Sequence, residues 1–280
     1  MIKRLVRRYI PPAVRTRINA FLGGPIRYSG PYSGWKAASL KSSGYDHANI
    51  LERVRETSRA VRDGKYAYEQ DSVGFELPSP PESLVRAISL ASDESGSPLR
   101  ILDFGGSLGS SYHRSAPYLG NVRIASWLIC EQPAFVKCGR SEFTFPPLQF
   151  IDDPTAALAG GSIDVLLLSS VLPYLPDPIA TLQSLLELRP RRVLIDRTPL
   201  SSDGENQILV QHTSSAIYRA TYPMHLLSFR AVSDALSETH VREWTIDCDE
   251  GPVAVGKIHG QYVAMCWHQK GATQDRSPVK

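Results

Sequence analysis

The segment from Leu99 to Ser110, with the sequence LRILDFGGSLGS, constrains the fold more than any other part of the chain. It opens with an apolar run, Leu99 to Phe104, whose length suits a buried strand. Three glycines follow, at positions 105, 106 and 109. Glycine adopts positive φ and lets the backbone approach a ligand without an intervening Cβ. A strand that passes through such a loop into a helix directs N–H groups at a ligand. The segment therefore predicts a site for a nucleotide-like molecule, with an ordinary strand–turn–helix corner as the alternative.

The spacing within this loop discriminates between cofactors. The dinucleotide fingerprint G-x-G-x-x-G requires glycine where this chain has Ser107 and Ser110, which disfavours a nicotinamide-dependent enzyme. The pattern present is D-x-G-x-S-x-G, beginning at Asp103. It resembles motif I of the class I S-adenosylmethionine (SAM) methyltransferases, D/E-x-G-x-G-x-G, with serine in place of the middle glycine. The Asp103 carboxylate suits the ammonium group of SAM and would repel a pyrophosphate.

Apolar strand patterns alternate with helical patterns after this loop. The predicted strands cover 123–131, 145–154, 162–170 and 191–197, an inserted strand covers 207–213, and the last two strands cover 241–247 and 261–267. Residues 217–225 are predicted to have irregular backbone, and Ser228 is predicted to cap the next helix. This alternation predicts an α/β fold with a doubly wound, mostly parallel sheet. The resemblance of the loop to that of the methyltransferases implies seven strands, the last inserted antiparallel, and an N-terminal helical lid extension.

Four divisions of the chain follow from composition. Residues 1–27 form a basic N-terminal arm, 28–98 a helical and aromatic lid, 99–270 the SAM-binding domain and 271–280 a disordered tail. Within the lid, 28–50 has loop composition, 49–62 is a predicted helix, and Ser79 is the expected cap of a second helix. The polar and aromatic run 66–71 lies between these helices. The resemblance to methyltransferases implies that it covers the ligand site, with simple packing against the domain as the alternative.

Polar residues follow the predicted strands at the edge where an open α/β sheet binds ligands. Glu131 lies 22 residues after Gly109 and suits the ribose hydroxyls, because a carboxylate accepts from two neighbouring hydroxyl groups. Asp152 suits the adenine amino group. The predicted cofactor-binding residues are Asp103, Gly105, Gly106, Ser107, Gly109, Glu131, Gln132, Asp152 and Ser169. An isolated acid at a strand end is otherwise an ordinary solvated group.

Several stretches together resemble a bacterial family of class I SAM-dependent methyltransferases associated with surface polysaccharide gene regions. They are GPYSGW at 30–35, GYD at 44–46, DFGGSLGSSY at 103–112, EQP at 131–133, SSVLPYLPDP at 169–178, IDRTPL at 195–200 and Tyr222-Pro223. The resemblance runs from about Gly30 to the last strand and excludes the basic arm. It implies a Rossmann-like methyltransferase fold, SAM as cofactor, and a small-molecule or glycan acceptor.

Transfer to a hydroxyl group requires a base for its proton. Histidine suits this role near neutral pH, and the candidates are His225, His113 and Asp196. Tyr174 and Tyr222 are expected to shape the acceptor pocket, and Arg197 to hold an anionic group of the substrate. Each of these residues is equally compatible with simple packing. A non-catalytic SAM- or nucleotide-binding scaffold in a glycan-assembly complex is the alternative function.

Charge is distributed unevenly along the chain. The net charge is +3, but nine Lys and Arg residues precede the first acid, Asp46, and the remainder carries 22 basic and 28 acidic residues. The arm suits either a peripheral contact with an anionic membrane or a solvated tail. No apolar run is long enough to span a membrane, a secretory signal is not expected, and the four cysteines lack metal-ligand spacing. We therefore expect a cytoplasmic protein without a bound metal and without nucleic acid as a partner.

Overall fold

The computed structural model describes residues 26–43, 47–213 and 220–271, with side chains from Ile50 onward in the second range. Nearly all of the basic arm and of the tail lies outside these residues. The strands are β1 (Arg27–Ser29), β2 (Tyr68–Gln70), β3 (Val73–Phe75), β4 (Leu99–Phe104), β5 (Ile124–Cys130), β6 (Leu148–Ile151), β7 (Val165–Ser169), β8 (Arg192–Ser201), β9 (Gln207–His212), β10 (Thr221–Ser228), β11 (His240–Val255) and β12 (Ile258–Gln269). The helices are α1 (Trp35–Ser39), α2 (His47–Arg62), α3 (Glu82–Ser95), α4 (Ser110–Ser115), α5 (Pro133–Glu142), α6 (Pro178–Leu186) and α7 (Phe229–Ser237).

Seven strands form the central sheet in the order β6-β5-β4-β7-β8-β12-β11. The first five of these run parallel, while β12 pairs antiparallel with both β8 and β11. The predicted α/β class with a mostly parallel sheet is therefore confirmed. The whole sheet has ten strands rather than seven, because β1, β9 and β10 extend it.

Helices cover both faces of the parallel part of the central sheet, which explains why β4 and β7 are apolar along most of their length. Ile101 packs into one core cluster with residues of α2, α3 and α5. The next residue, Leu102, packs into a second cluster with residues of α6 and α7. Successive side chains of a strand point to opposite faces, so β4 is buried from both sides. Its carboxyl end consequently stands at the centre of the sheet edge.

The additional strands form an antiparallel lobe at one end of the sheet. β1 pairs with β9, β9 pairs with β10, and the last residues of β10 pair with the end of β8 through Leu227 and Leu200. The predicted inserted strand at 207–213 is thus confirmed as β9. The expectation of irregular backbone at 217–225 is wrong from Thr221 onward, because β10 forms an antiparallel ladder with the preceding strand β9, from Thr221 opposite His212 to Leu226 opposite Gln207.

Residues 28–50 have the composition of a loop, but part of this stretch forms regular secondary structure. Arg27–Ser29 forms β1, and Trp35–Ser39 forms the short helix α1. The predicted Ser79 cap is also wrong, because α3 begins at Glu82 with Pro81 as its N-cap residue and no side-chain cap. Buried residues of α3, including Ile88, share the core cluster of β4. This helix therefore packs directly against the sheet.

Candidate functional site

The glycine loop connects β4 to α4 in the centre of the sheet edge. The Gly105 N–H donates to the Cys130 carbonyl at 2.9 Å, which joins the loop to the end of β5. Ser107 adopts φ +56° and Gly109 φ +99°, a left-handed conformation that non-glycine residues rarely adopt. A Cβ built on Gly106 would lie 2.5 Å from Cγ of Asp103, so this position has no room for a side chain.

Asp103 lies directly beneath the loop and is 1% exposed. The Trp127 Nε1–H donates to its Oδ2 atom at 3.1 Å. Burial raises the pKa of Asp103 to about 7. Because the backbone at Gly106 passes over the carboxyl group, Asp103 supports the loop from below. Its predicted contact with the ammonium group of SAM remains a prediction.

Glu131 follows β5 and is turned toward the loop. Its Oε1 atom accepts from the Ser107 N–H at 3.1 Å, and its Oε2 atom accepts from the Gln132 N–H at 2.8 Å. Gln132 is exposed at the N-cap of α5, and its side chain makes no cap hydrogen bond. The structure thus places Glu131, Gln132 and the glycine loop side by side.

Asp152 follows β6 and is exposed. Its carboxylate lies 3.6 Å from the guanidinium of Arg140 on α5. Asp153, the next residue, caps the following turn by accepting from the Thr155 N–H. Asp152 therefore lies exposed at the sheet edge beside Arg140, and its contact with adenine remains a prediction.

Ser169 and Asp196 stand at the ends of β7 and β8 and contact each other. The Ser169 hydroxyl donates to Oδ2 of Asp196 at 2.9 Å, and the Ser83 hydroxyl of α3 donates to Oδ1 at 2.7 Å. Asp196 is 5% exposed. The carboxylate of Asp196 is therefore held in place by two hydroxyl groups from different elements.

Arg197 is occupied by carboxylates of this chain rather than free for a substrate anion. Its guanidinium contacts Glu250 of β11 and Asp71, each at 2.8 Å. These negative charges raise the pKa of Arg197 against the opposing effect of burial. The predicted role of holding an anionic substrate group would require one of these ion pairs to open.

His225 of β10 stacks against Trp35 of α1, with ring centroids 4.8 Å apart and planes inclined by 11°. Its Nε2 atom lies 3.3 Å from the Pro176 carbonyl oxygen. A carbonyl only accepts, so Nε2 carries the proton and Nδ1 carries the lone pair in the neutral ring. Burial lowers the pKa of His225 from its ordinary value. At neutral pH the ring is therefore uncharged and able to accept a proton.

His113 of α4 lies on the opposite flank of the glycine loop from the lobe that carries His225. Its ring packs against Tyr112 and Phe145 at centroid distances of 5.5 and 5.9 Å. Burial lowers the pKa of His113. The structure surrounds this histidine with aromatic rings beside β6 and does not bring it to His225 or Asp196.

Tyr174 and Tyr222 form one aromatic pair under the antiparallel lobe, with centroids 5.3 Å apart. Gln211 of β9 joins them, since its Oε1 atom accepts from the Tyr174 hydroxyl and its Nε2 donates to the Tyr222 hydroxyl. Burial raises the pKa of Tyr174. The two predicted pocket residues are thus held by each other and by Gln211.

The hairpin β2–β3 supplies functional candidates that the sequence pattern did not single out. Glu69 is 5% exposed, and its carboxylate accepts from the Ser110 hydroxyl at the start of α4. Asp71 in the hairpin turn pairs with Arg197. The polar and aromatic run at 66–71 indicated a cover over the site, but nothing in the local pattern showed which acid would be buried.

Three findings concern the described part of the chain as a whole. Its helices include none that is long and apolar enough to cross a membrane. Its His, Cys, Asp and Glu side chains form no group of three or more that could hold a metal ion. Cys130, Cys138, Cys248 and Cys266 are free thiols.

Comparisons with solved structures find proteins of similar fold. The N-terminal domain of EvdMO1, solved with S-adenosylhomocysteine (SAH) and D-fucose, aligns with 79% of this chain and 97% of its own, at 13% identity and a TM-score of 0.45. The 1,6-didemethyltoxoflavin-N1-methyltransferase of Burkholderia thailandensis, with SAH bound, aligns with 86% of this chain and 92% of its own, at 15% identity and a TM-score of 0.42. The SAM-bound amino pentose methyltransferase CalS10 of Micromonospora echinaspora aligns with 74% and 95%, at 11% identity and a TM-score of 0.42.

Comparisons at the level of sequence give a different result. No protein-family model matches the chain, and no curated protein matches it. The three structural matches have sequence identities of 11–15% and TM-scores below 0.5, so they do not show the function of this chain.

Proposed function

We propose that this protein is a SAM-dependent methyltransferase that acts on a small molecule or glycan, at a hydroxyl group. The observation that carries the proposal is the contact between Glu131 and the Ser107 N–H. It brings the predicted ribose-binding acid of β5 against the glycine loop of β4. In a nucleotide-binding α/β sheet, this is the place where a ribose lies between an acid and a glycine-rich turn.

The residues at the sheet edge fit an adenosyl sulfonium donor. Gly106 packs its backbone directly on the Asp103 carboxyl group, where a side chain would not fit, and this contact holds the loop at 105–109 in place. Glu131 would accept from the ribose hydroxyls, with Gln132 beside it and Asp152 toward the adenine. Ser169 would lie at the methionine end. SAM supplies a methyl group on a sulfonium leaving group, so this chain mainly has to position the acceptor.

His225 is the base that the geometry favours among the three candidates. Its ring is neutral because burial lowers its pKa, and the Pro176 carbonyl fixes the proton on Nε2. Nδ1 would then take the proton of the acceptor hydroxyl. Asp196 is held by two serine hydroxyls and suits electrostatic positioning, whereas His113 is packed against Phe145.

The acceptor is proposed as a sugar or another polyol, in line with the resemblance to proteins of surface polysaccharide regions. Polar aromatic rings suit such an acceptor because they offer both a flat apolar face and a hydroxyl group. Tyr174, Tyr222 and the Trp35–His225 stack supply rings of this kind on the lobe side of the site.

Incubation with methyl-labelled SAM and extracts of the source organism tests the proposal. We expect label on a glycan or small-molecule hydroxyl. We expect no label with Gly106→Asp, because that side chain would meet the Asp103 carboxyl group. A protein that binds SAM in calorimetry but labels nothing would favour the non-catalytic scaffold. Binding of NAD in place of SAM would contradict the proposal.

A further inference from the structure

Glu69 is a buried carboxylate whose hydrogen-bond partners are neutral. Its Oε1 atom accepts from the Ser72 N–H at 2.6 Å, and its Oε2 atom accepts from the Ser110 hydroxyl. Among the described residues, no lysine, arginine or histidine forms an ion pair with it. The nearby Arg197 is already paired with Asp71 and Glu250. A buried carboxylate without a cationic partner is costly, so this site favours the arrival of a cation.

Glu69 is also fixed at the glycine loop. Ser110, its hydroxyl partner, immediately follows Gly109. The hairpin that carries Glu69 is held on α4 by Arg114, which donates to Gln70 at 2.6 Å and lies 4.6 Å from the centre of the Tyr68 ring. These contacts give the Glu69 carboxylate a defined position at the loop.

Two carboxylates from different elements therefore contact the glycine loop and its exit into α4. Glu131 contacts the loop at Ser107 from β5, whereas Glu69 contacts its end at Ser110 from the hairpin. The turn of the hairpin reaches the end of β8 through the pair of Asp71 with Arg197. A ligand whose ribose lies at Glu131 would thus extend its other end toward Glu69.

Asp103 is less suited to a cation from the ligand. Its Oδ1 atom is buried without a hydrogen-bond partner, but the loop backbone at Gly106 lies against the carboxyl group and the Trp127 N–H occupies Oδ2 from within the core. Glu69 approaches the same loop from the side of the hairpin.

We infer that Glu69 binds the α-ammonium group of the methyl donor, so that the hairpin β2–β3 is part of the cofactor site. This inference rests on the proposed function. The inference assigns the binding of this ammonium group to the hairpin β2–β3, whereas the sequence motif by itself assigns it to Asp103.

Calorimetry on the full chain with three ligands tests the inference. SAH carries an α-ammonium and an α-carboxylate group, its desamino analogue keeps only the carboxylate, and 5′-methylthioadenosine has neither. We expect the wild type to prefer SAH over the desamino analogue by about tenfold or more, as is typical of a charge-assisted hydrogen bond. In Glu69→Gln this preference falls to within about twofold, while the affinity for 5′-methylthioadenosine stays unchanged.

Two further variants serve as controls. Glu76→Gln, an exposed acid just after β3, should keep the full preference for SAH. Glu69→Asp keeps the charge on a shorter side chain and should restore part of the preference. Equal weakening of all three ligands in Glu69→Gln would overturn the inference, as would an unchanged preference for SAH.

The outcomes separate this inference from the proposed function. A wild type that binds none of the three ligands contradicts the proposed function itself. A wild type that binds SAH and its desamino analogue equally contradicts only the role of Glu69. If the Glu69 variants fail to fold, hydrogen–deuterium exchange on the wild type decides. SAH should slow exchange at 66–76 more than the desamino analogue does, and equal slowing overturns the inference.

Discussion

Glu131 shows how one side chain connects two strands of the site. Its carboxylate accepts hydrogen bonds from the Ser107 N–H in the loop and from the Gln132 N–H at the start of α5. The same side chain is thus positioned by local backbone and by a loop 24 residues away. Its role in binding rests on this placement.

Glu131→Gln is predicted to weaken SAH binding by about tenfold or more, because an amide accepts from hydroxyl groups less strongly than a carboxylate does. Calorimetry measures the change. Glu187→Gln, at an exposed position after α6, is the matched control and should bind SAH as the wild type does. Equal affinities of wild type and Glu131→Gln would remove the ribose role.

His225→Gln is predicted to lower kcat by about 100-fold or more, the usual contribution of a general base. KM for SAM should change little. Since burial lowers the pKa of His225, the wild-type rate should fall only below about pH 6.5, the usual histidine pKa. His259→Gln, on an exposed part of β12, should retain both the rate and this profile. If the rate of the His225→Gln variant still falls at low pH in the same way, another group accepts the proton of the acceptor hydroxyl.

The hairpin β2–β3 is the element whose position is least evident from its own sequence. It contains only three residues in each strand, and an isolated hairpin of this size is unstable in water. Its conformation depends on the contacts of Glu69, Gln70 and Tyr68 with α4, and of Asp71 with β8.

Arg114→Ala is predicted to loosen this hairpin and to destabilise it locally by about 2 kcal/mol, since it removes a charged hydrogen bond and a cation–π contact. Hydrogen–deuterium exchange at 66–76 should accelerate, while exchange in β4 stays slow. Uniform acceleration across the chain would show instead that Arg114 stabilises the whole fold.

The stability of the fold should also depend on Glu69. Burial raises the pKa of Glu69 from 4.5 to about 7. The folded protein therefore binds this proton more tightly than the unfolded chain, and its stability should fall as pH rises from about 4.5 to 7, by about 1.4 kcal/mol per pKa unit. Urea unfolding at several pH values, compared with Glu69→Gln, isolates this contribution. Parallel pH curves for the two proteins would contradict it.

On the scale of the whole molecule, the site lies at the edge of the central sheet. Both faces of this sheet are covered, so the edge is the part that can contact a ligand. Leu167 of β7 is fully buried in the cluster that joins α3 and α5 to the sheet. We predict that Leu167→Ala lowers the free energy of unfolding by about 2–5 kcal/mol, measured by urea denaturation. Leu158→Ala, at a side chain 44% exposed, should cost less than about 0.5 kcal/mol.

The sequence determined the central sheet and the glycine loop, because both follow from local patterns. Apolar runs of strand length alternate with helices, and the loop residues at 105–109 have the backbone freedom that their positions require. The placement of Glu131 beside the loop follows as well, since parallel neighbours end at the same sheet edge.

Only the tertiary structure decided which charged groups of the site meet. Glu69 and Ser110 are 41 residues apart in sequence, and Asp71 and Arg197 are 126 apart. Neither contact leaves a periodic signal, because a single long-range pair depends on how whole elements pack. The same reason explains why the sequence pattern does not reveal that Arg197 pairs with Asp71 and Glu250.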